Sequence, residues 1–281
     1  MLSQSRLYRI FPRIPTYILL LLGSVLFLFP FFWMISASFK TPAELLGSAQ
    51  RLLPSVATLE NYQLAFTSVP LLRNFFNSVF VSSCYTLLSV FFCSLGGFAF
   101  AKYDFPGRNW LFALMLGTIM VPGVVGLVPT FIIMKKLHWV DTYYAVILPG
   151  TANAFGIFLM RQYIKSVPDE ILDAARIDGC GDFGMYWRVI LPIITPALLT
   201  LGIMDFIGTW NDYMWPLVIL RSVDMYTIVL AITAFPSIRF RQPWGAIMAG
   251  SAISVLPLVL LFLAFQKRIV AGITVGAVKG G

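Results

Sequence analysis

The sequence predicts an all-α integral membrane protein built as a single bundle of about six transmembrane helices. Composition is the first observation: 59% of the 281 residues are hydrophobic and only 11% are charged, against roughly a quarter charged in a soluble domain. The mean hydropathy is +0.84. The second is a succession of long, almost uncharged runs, each near the ~20 residues that a helix needs to cross a bilayer. The third is length: about six spans joined by short loops consume 281 residues, leaving no room for a separate soluble domain.

The first run, Pro15 to Phe39, is uncharged and follows Arg6, Arg9 and Arg13. It is too long for the apolar core of a signal peptide, so it is expected to remain as a span behind a cytosolic tail, residues 1–14. Residues 40–72 carry Pro42, Pro54 and Pro70 and read as an external loop with one short helix beginning near Thr58. Asn74 to Tyr103 is the second span, and Pro106 with Gly107 supplies a tight inside turn. The third, Trp110 to Met134, contains Pro122, Gly123, Gly126 and Pro129, a pattern that predicts a kink or break. The fourth is expected over Thr142 to Leu159, the fifth from Leu191 to about Leu220, and the sixth from Trp244 to Phe265. Residues 15–265 thus form the membrane domain and 266–281 an inside tail. Glycines at 272, 276, 280 and 281 make that tail a poor helix and favour an extended strip.

This parity puts both termini on one side. It places twelve of the twenty Lys and Arg residues inside and eight outside, the direction that the positive-inside bias requires. The net charge of +8 is therefore spread over short loops as topology signals and lipid contacts, and nucleic acid is set aside as a partner. Three cysteines without CxxC spacing and one histidine build neither a disulfide framework nor a zinc cluster.

Residues 161–190 interrupt this apolar pattern. Ser166 is placed to cap a helix whose first turn holds Pro168, Asp169 and Glu170. Gly179 can take the left-handed conformation that ends it. A second start at Asp182 leads into an amphipathic stripe of Phe183, Tyr186, Trp187, Ile190 and Leu191. Ala174 and Ala175 allow close approach of another surface, and Asp173, Arg176 and Asp178 keep the face soluble. That pattern fits a docking knob, and equally an amphipathic connector resting on headgroups.

DAARIDGC followed by VILPIITP resembles the cytoplasmic-loop signature of permease subunits of bacterial binding-protein-dependent ABC importers. TLENY at Thr58, NSVFVS at Asn77, FAFAKYDFPGR at Phe98, WNDYMWPL at Trp210 and GAVKG at Gly276 are similar to its carbohydrate branch, in particular the maltose-type six-span permease. The resemblance implies a type I ABC importer transmembrane domain in the bacterial cytoplasmic membrane, multi-pass, with both termini cytoplasmic. It makes the insert a cytoplasmic coupling helix, with Asp173, Ala174, Ala175, Asp178 and Gly179 docking on an ATPase. Asp173 is one methylene shorter than the family's usual glutamate, and Cys180 stands where alanine is usual. The implied partners are a second, homologous permease subunit, two ABC ATPase subunits that bind ATP and Mg, an external solute-binding protein, membrane lipid and a sugar, a di- or oligosaccharide or a glycosylated small solute, with glycerol phosphate as the further substrate that the branch leaves open. The resemblance further implies that the tail reaches between the ATPases.

No GxxxxGK[ST] motif occurs, so this chain has no Walker phosphate loop and no cofactor of its own is expected. Without a His/Asp/Glu or Cys/His constellation it is not expected to be an enzyme. Asp205 in the fifth span is expected to face protein or water, because a carboxylate at the bilayer centre costs about 2.5–3.5 kcal/mol. Trp210, Asn211 and Asp212, with Tyr213 and Trp215, combine flat aromatic faces and hydrogen-bonding groups that suit a sugar; the same residues fit an interfacial aromatic belt. Asn153 in the fourth span is a candidate of the same kind. An ion-coupled secondary transporter is the alternative, for which only Asp205 and Asp212 would supply intramembrane ionisable groups.

Overall fold

A computed structural model describes residues 14–47, 51–235 and 243–278. The expected N-terminal tail with Arg6, Arg9 and Arg13, the loop arginines Arg239 and Arg241, and the terminal residues 279–281 lie outside the described residues. Everything regular among those described is helical. Helix α1 (Ile14–Ser38) is apolar all round, and none of its membrane-spanning window is buried inside the chain, as befits a helix whose neighbours are lipid or another subunit. Helix α2 (Pro42–Leu46) starts on a capping box between Thr41 and Glu44, and α3 (Glu60–Ser68) occupies the short loop helix expected there. Helix α4 (Leu71–Lys102) is the second span.

The third span is broken as its prolines and glycines predict. Helix α5 (Arg108–Ile119) and α6 (Leu127–Lys136) are separated by a 3₁₀ turn at Gly123–Gly126, and the chain bends there by 100°. The fourth differs from the single span expected over Thr142 to Leu159. It divides into α7 (Tyr143–Ile147) and α8 (Ala154–Lys165). Pro149 and Gly150, at φ +86°, turn the chain, and Asn153 restarts it by accepting the Gly156 N–H at 2.6 Å.

Helix α9 (Asp169–Ile177) follows. Ser166 does not cap it: this residue closes α8, its hydroxyl donating to the Tyr163 carbonyl at 2.7 Å, while Pro168 precedes Asp169. Helix α10 (Asp182–Met185), a π turn at Tyr186–Ile190 and α11 (Leu191–Ile193) lead into α12 (Thr195–Trp210) through an 81° bend. The fifth span ends its helix at Trp210 and resumes as α13 (Met214–Ile219). Helix α14 (Ile228–Thr233) precedes α15 (Trp244–Val278). The last helix runs past Phe265 to Val278, which corrects the extended strip expected for the tail. Propagating an existing helix gains a hydrogen bond per residue, which outweighs the roughly 1 kcal/mol that each glycine costs.

Among the described residues three helices are long and apolar enough to cross a membrane, and two bent pairs meet the same test when each is counted as one span. The divided fourth segment is the remaining apolar stretch.

The described residues fall into two compact units. In the one made of Met1–Leu71 and Ile232–Val255, Asn61 is buried and donates to the carbonyls of Ser38 at 2.9 Å and Lys40 at 2.7 Å. These bonds satisfy carbonyls that α1 leaves open at its end. Lys40 lies 3.9 Å from the centroid of the Trp33 ring, a cation–π contact that holds the start of the loop.

The larger unit, Leu72–Ala231 with Leu256–Gly281, has a core of Cys93, Met160, Ile164, Tyr186, Ile190 and Leu201, all fully buried. A Cβ on Gly97 would lie 2.6 Å from that of Met160, so α4 and α8 touch backbone to backbone. The two ends of α4 hold two different structures. Near its start, Asn74 donates to the carbonyls of Val223 and Tyr226, and Asn77 to those of Asp224 and Tyr226, at 2.8–3.0 Å. At its end, Lys102 donates to the Val167 carbonyl and pairs with Asp169 at 2.5 Å. At 1.5 Å per residue these anchor points are about 40 Å apart, more than the ~30 Å of the hydrocarbon layer.

Candidate functional site: the exposed helix and the cavity

Helix α9 is amphipathic, with Leu172 buried and packed into the core. Its other face carries exposed Asp173, Ala174, Arg176, Ile177 and Asp178. Ile177 is 87% exposed, a large apolar side chain at the tip of a charged helix. Asp173 and Arg176 form an ion pair at 3.0 Å across one turn. Gly179 ends the helix at φ +79°, where its N–H reaches the Arg176 carbonyl and the Cys180 N–H the Ala175 carbonyl, a left-handed turn that a side chain would strain. Asp173, Ala174, Asp178 and Gly179 are thus brought together on an exposed surface, with Ala175 half-buried beside them.

What holds this helix in place was not legible locally. The Lys102 side chain, only 6% exposed, joins the end of α4 to the carbonyl of Val167 and the carboxylate of Asp169 just where α9 begins. Arg161 donates to the Phe100 carbonyl at 3.1 Å and lies 3.9 Å over the Phe112 ring. The Tyr186 hydroxyl meets that of Ser94 at 2.7 Å. The insert is therefore bolted to α4 by residues distant in sequence.

A cavity of about 510 Å³ opens in the same unit, lined by Tyr85, Gly123, Gly126, Leu127, Thr130, Val146, Pro149, Gly150, Met204, Asp205, Gly208, Thr209, Asp212, Trp215 and Pro216. The breaks in the third, fourth and fifth spans supply most of its wall. Tyr85 donates to the Gly150 carbonyl at 2.9 Å and Trp215 to the Ala145 carbonyl at 2.8 Å, so both rings are fixed. The Asp212 carboxylate accepts the Trp215 N–H at 3.4 Å, at the start of α13.

Of the pathway residues expected from sequence, Asp212 lines this cavity and the other three are placed otherwise. Trp210 is 1% exposed and lies in an aromatic cluster, with ring centroids 5.7 Å from Phe75 and 5.8 Å from Phe206. Asn211 is exposed and donates back to the Ile207 carbonyl. Asn153 caps α8 and donates to the Ser89 hydroxyl at 3.2 Å. Asp205 lies on the cavity wall, as a face toward protein or water requires. Tyr85, Thr130 and Thr209 were missed, because single polar residues in apolar runs carry no sequence signal.

A helical membrane domain with broken spans around an open cavity and an exposed helix held against its core has the architecture that a solute permease needs. The chain belongs to the family of binding-protein-dependent transport system inner membrane components, which matches it over residues 93–275. It is 40% identical over 255 residues to the arabinooligosaccharides transport system permease protein AraQ of Halalkalibacterium halodurans, covering 90% of this chain and 91% of that protein. It is 35% identical over 271 residues to the trehalose/maltose transport system permease protein MalG of Thermococcus litoralis, covering 94% and 97%. A crystal structure of a bacterial ABC transporter involved in the import of the acidic polysaccharide alginate contains a chain with the same fold, at TM-score 0.79 and 24% identity over 95% of this chain and 98% of that one. The ion-coupled alternative finds no support in the family or in these relatives.

Proposed function

We propose that this chain forms half of the membrane pathway of an ATP-driven importer for a sugar, a di- or oligosaccharide or a glycosylated solute delivered by an external solute-binding protein. The observation that carries the reading is the exposed face of α9, inside the stretch matched by the family. Ala174 and the exposed Ile177 offer a small apolar knob, and Asp173, Arg176 and Asp178 give it a charged rim. In this reading α9 is the coupling helix seated on one of two ATPase subunits, which bind ATP and Mg. A second, homologous permease completes the passage. Relatives named for arabinooligosaccharides and for trehalose and maltose support the sugar class. Tyr85 and Trp215 on the cavity wall supply flat faces for sugar C–H surfaces, and Asp205, Asp212, Thr130 and Thr209 supply partners for hydroxyls. Both termini lie in the cytoplasm, which places α9 and the end of α15 on the ATPase side.

The test is uptake by the full complex in proteoliposomes, with arabinotriose, maltotriose, trehalose and lactose as probes. Uptake of at least one that requires ATP on the ATPase side is the expected outcome. Uptake that persists without ATP and follows a proton or sodium gradient would overturn it.

A further inference from the structure

We propose that Asp205 and Asp212 make the cavity a charge filter, which admits uncharged and cationic solutes and turns away anionic ones such as uronate-bearing oligosaccharides. The inference rests on reading this cavity as part of the passage. Both charged side chains among its described lining residues are acidic. Asp205 and Gly208 stand one turn apart near the end of α12 and Asp212 follows just past it, and all three line the cavity. Among the described residues no cation pairs with either carboxylate. The ion pairs of the described residues all lie elsewhere, at Arg73, Lys102, Arg108 and Arg176.

Oδ2 of Asp205 is buried without a hydrogen-bond partner, while the Ser89 hydroxyl bonds to this carboxyl, and Asp212 accepts backbone N–H bonds from Met214 and Trp215. A carboxylate accepts and never donates, so a solute meets these acids favourably through hydroxyl or ammonium groups. A second carboxylate brings no donor. Apolar walls strengthen the effect, because a cleft with low-dielectric sides and charges of one sign focuses the field on whatever enters. Gly208 keeps the approach open between the two acids: a Cβ built there meets nothing within 4 Å.

The field can be read without knowing the sugar. In the assembled complex, Gly208→Cys puts a thiol between the acids, and Thr209→Cys provides a second reporter should the first fail to assemble. Each is labelled with a cationic trimethylammonium-ethyl or an anionic sulfonatoethyl methanethiosulfonate. Background from Cys84, Cys93 and Cys180 is taken from the chain with Gly208 and Thr209 intact. The cation-to-anion rate ratio should exceed that of a free thiol by about tenfold or more, and should fall toward the free-thiol value when Asp205→Asn and Asp212→Asn are added. A free-thiol ratio with both acids present, a ratio indifferent to the asparagines, or no labelling of either reporter would overturn the proposal. Because labelling needs neither ATP nor sugar, its failure is distinct from a failure of sugar uptake.

Discussion

A methyl group on Gly97 would meet the Cβ of Met160 at 2.6 Å and the backbone nitrogen of Arg161 at 2.8 Å, whereas one on the adjacent Gly96 would meet only the Ile157 side chain, at 3.3 Å. Backbone cannot yield as a side chain can, so the two neighbouring glycines should behave differently. Gly97→Ala is expected to lower stability by about 1–3 kcal/mol, the range for overpacking a close-packed core. Gly96→Ala should cost less than half of that. Thermal unfolding of the two variants in detergent checks it; equal midpoints would mean that α4 and α8 do not meet this closely. Neither glycine stands out in the sequence, since both sit in an ordinary apolar run. Gly179 was legible there because helix punctuation is local. The burial of Trp210 was not, because its contact with Phe75 joins residues far apart in the chain.

Among the elements, the segment from Arg221 to Tyr226 has little regular structure and is held by side chains that reach it from elsewhere. Asn74 and Asn77 bind its carbonyls. Asp141 accepts the N–H groups of Arg221 at 2.8 Å and Ser222 at 3.0 Å, together with the Ser222 hydroxyl. Partial burial pushes the Asp141 carboxyl up, but these three donors and the nearby Arg221 charge outweigh it and hold the group below the ordinary aspartate value. A depressed carboxyl contributes its stability above its unfolded pKa, about 3.9, and loses it as pH falls through the folded value. The strap should therefore resist protease at neutral pH and become cleavable only below about pH 4, whereas Asp141→Ala should leave it cleavable at pH 7. Protection at neutral pH that survives Asp141→Ala would contradict this anchoring. The insert teaches the same lesson about elements. Its helix, its left-handed end and the second start at Asp182 were readable, because each depends on neighbours within a turn. The attachment through Lys102 was not, nor was the division of the fourth span. Pro149 and Gly150 turn the chain there, and Asn153 caps the helix that follows.

For the whole molecule, composition and the succession of apolar runs were enough to place the chain in a membrane. They could not place the cavity, whose wall comes from breaks in three different spans. Helix α4 joins two parts of the molecule: the strap is tied near its start, and the insert that carries α9 near its end. In the proposed importer this insert transmits the work of ATP hydrolysis to the passage, and that transmission depends on the left-handed residue that ends α9. A valine at Gly179 would be strained at φ +79°, and would shift the exposed knob while leaving the buried Leu172 side of the helix packed. The most direct measurement is the number of ATP molecules hydrolysed per sugar carried by the full complex, Gly179→Val against wild type. The variant is expected to assemble with its ATPases but to carry at least about tenfold less sugar per ATP, a loss of roughly 1.4 kcal/mol or more in coupling. An assembled variant with an unchanged ratio would contradict it.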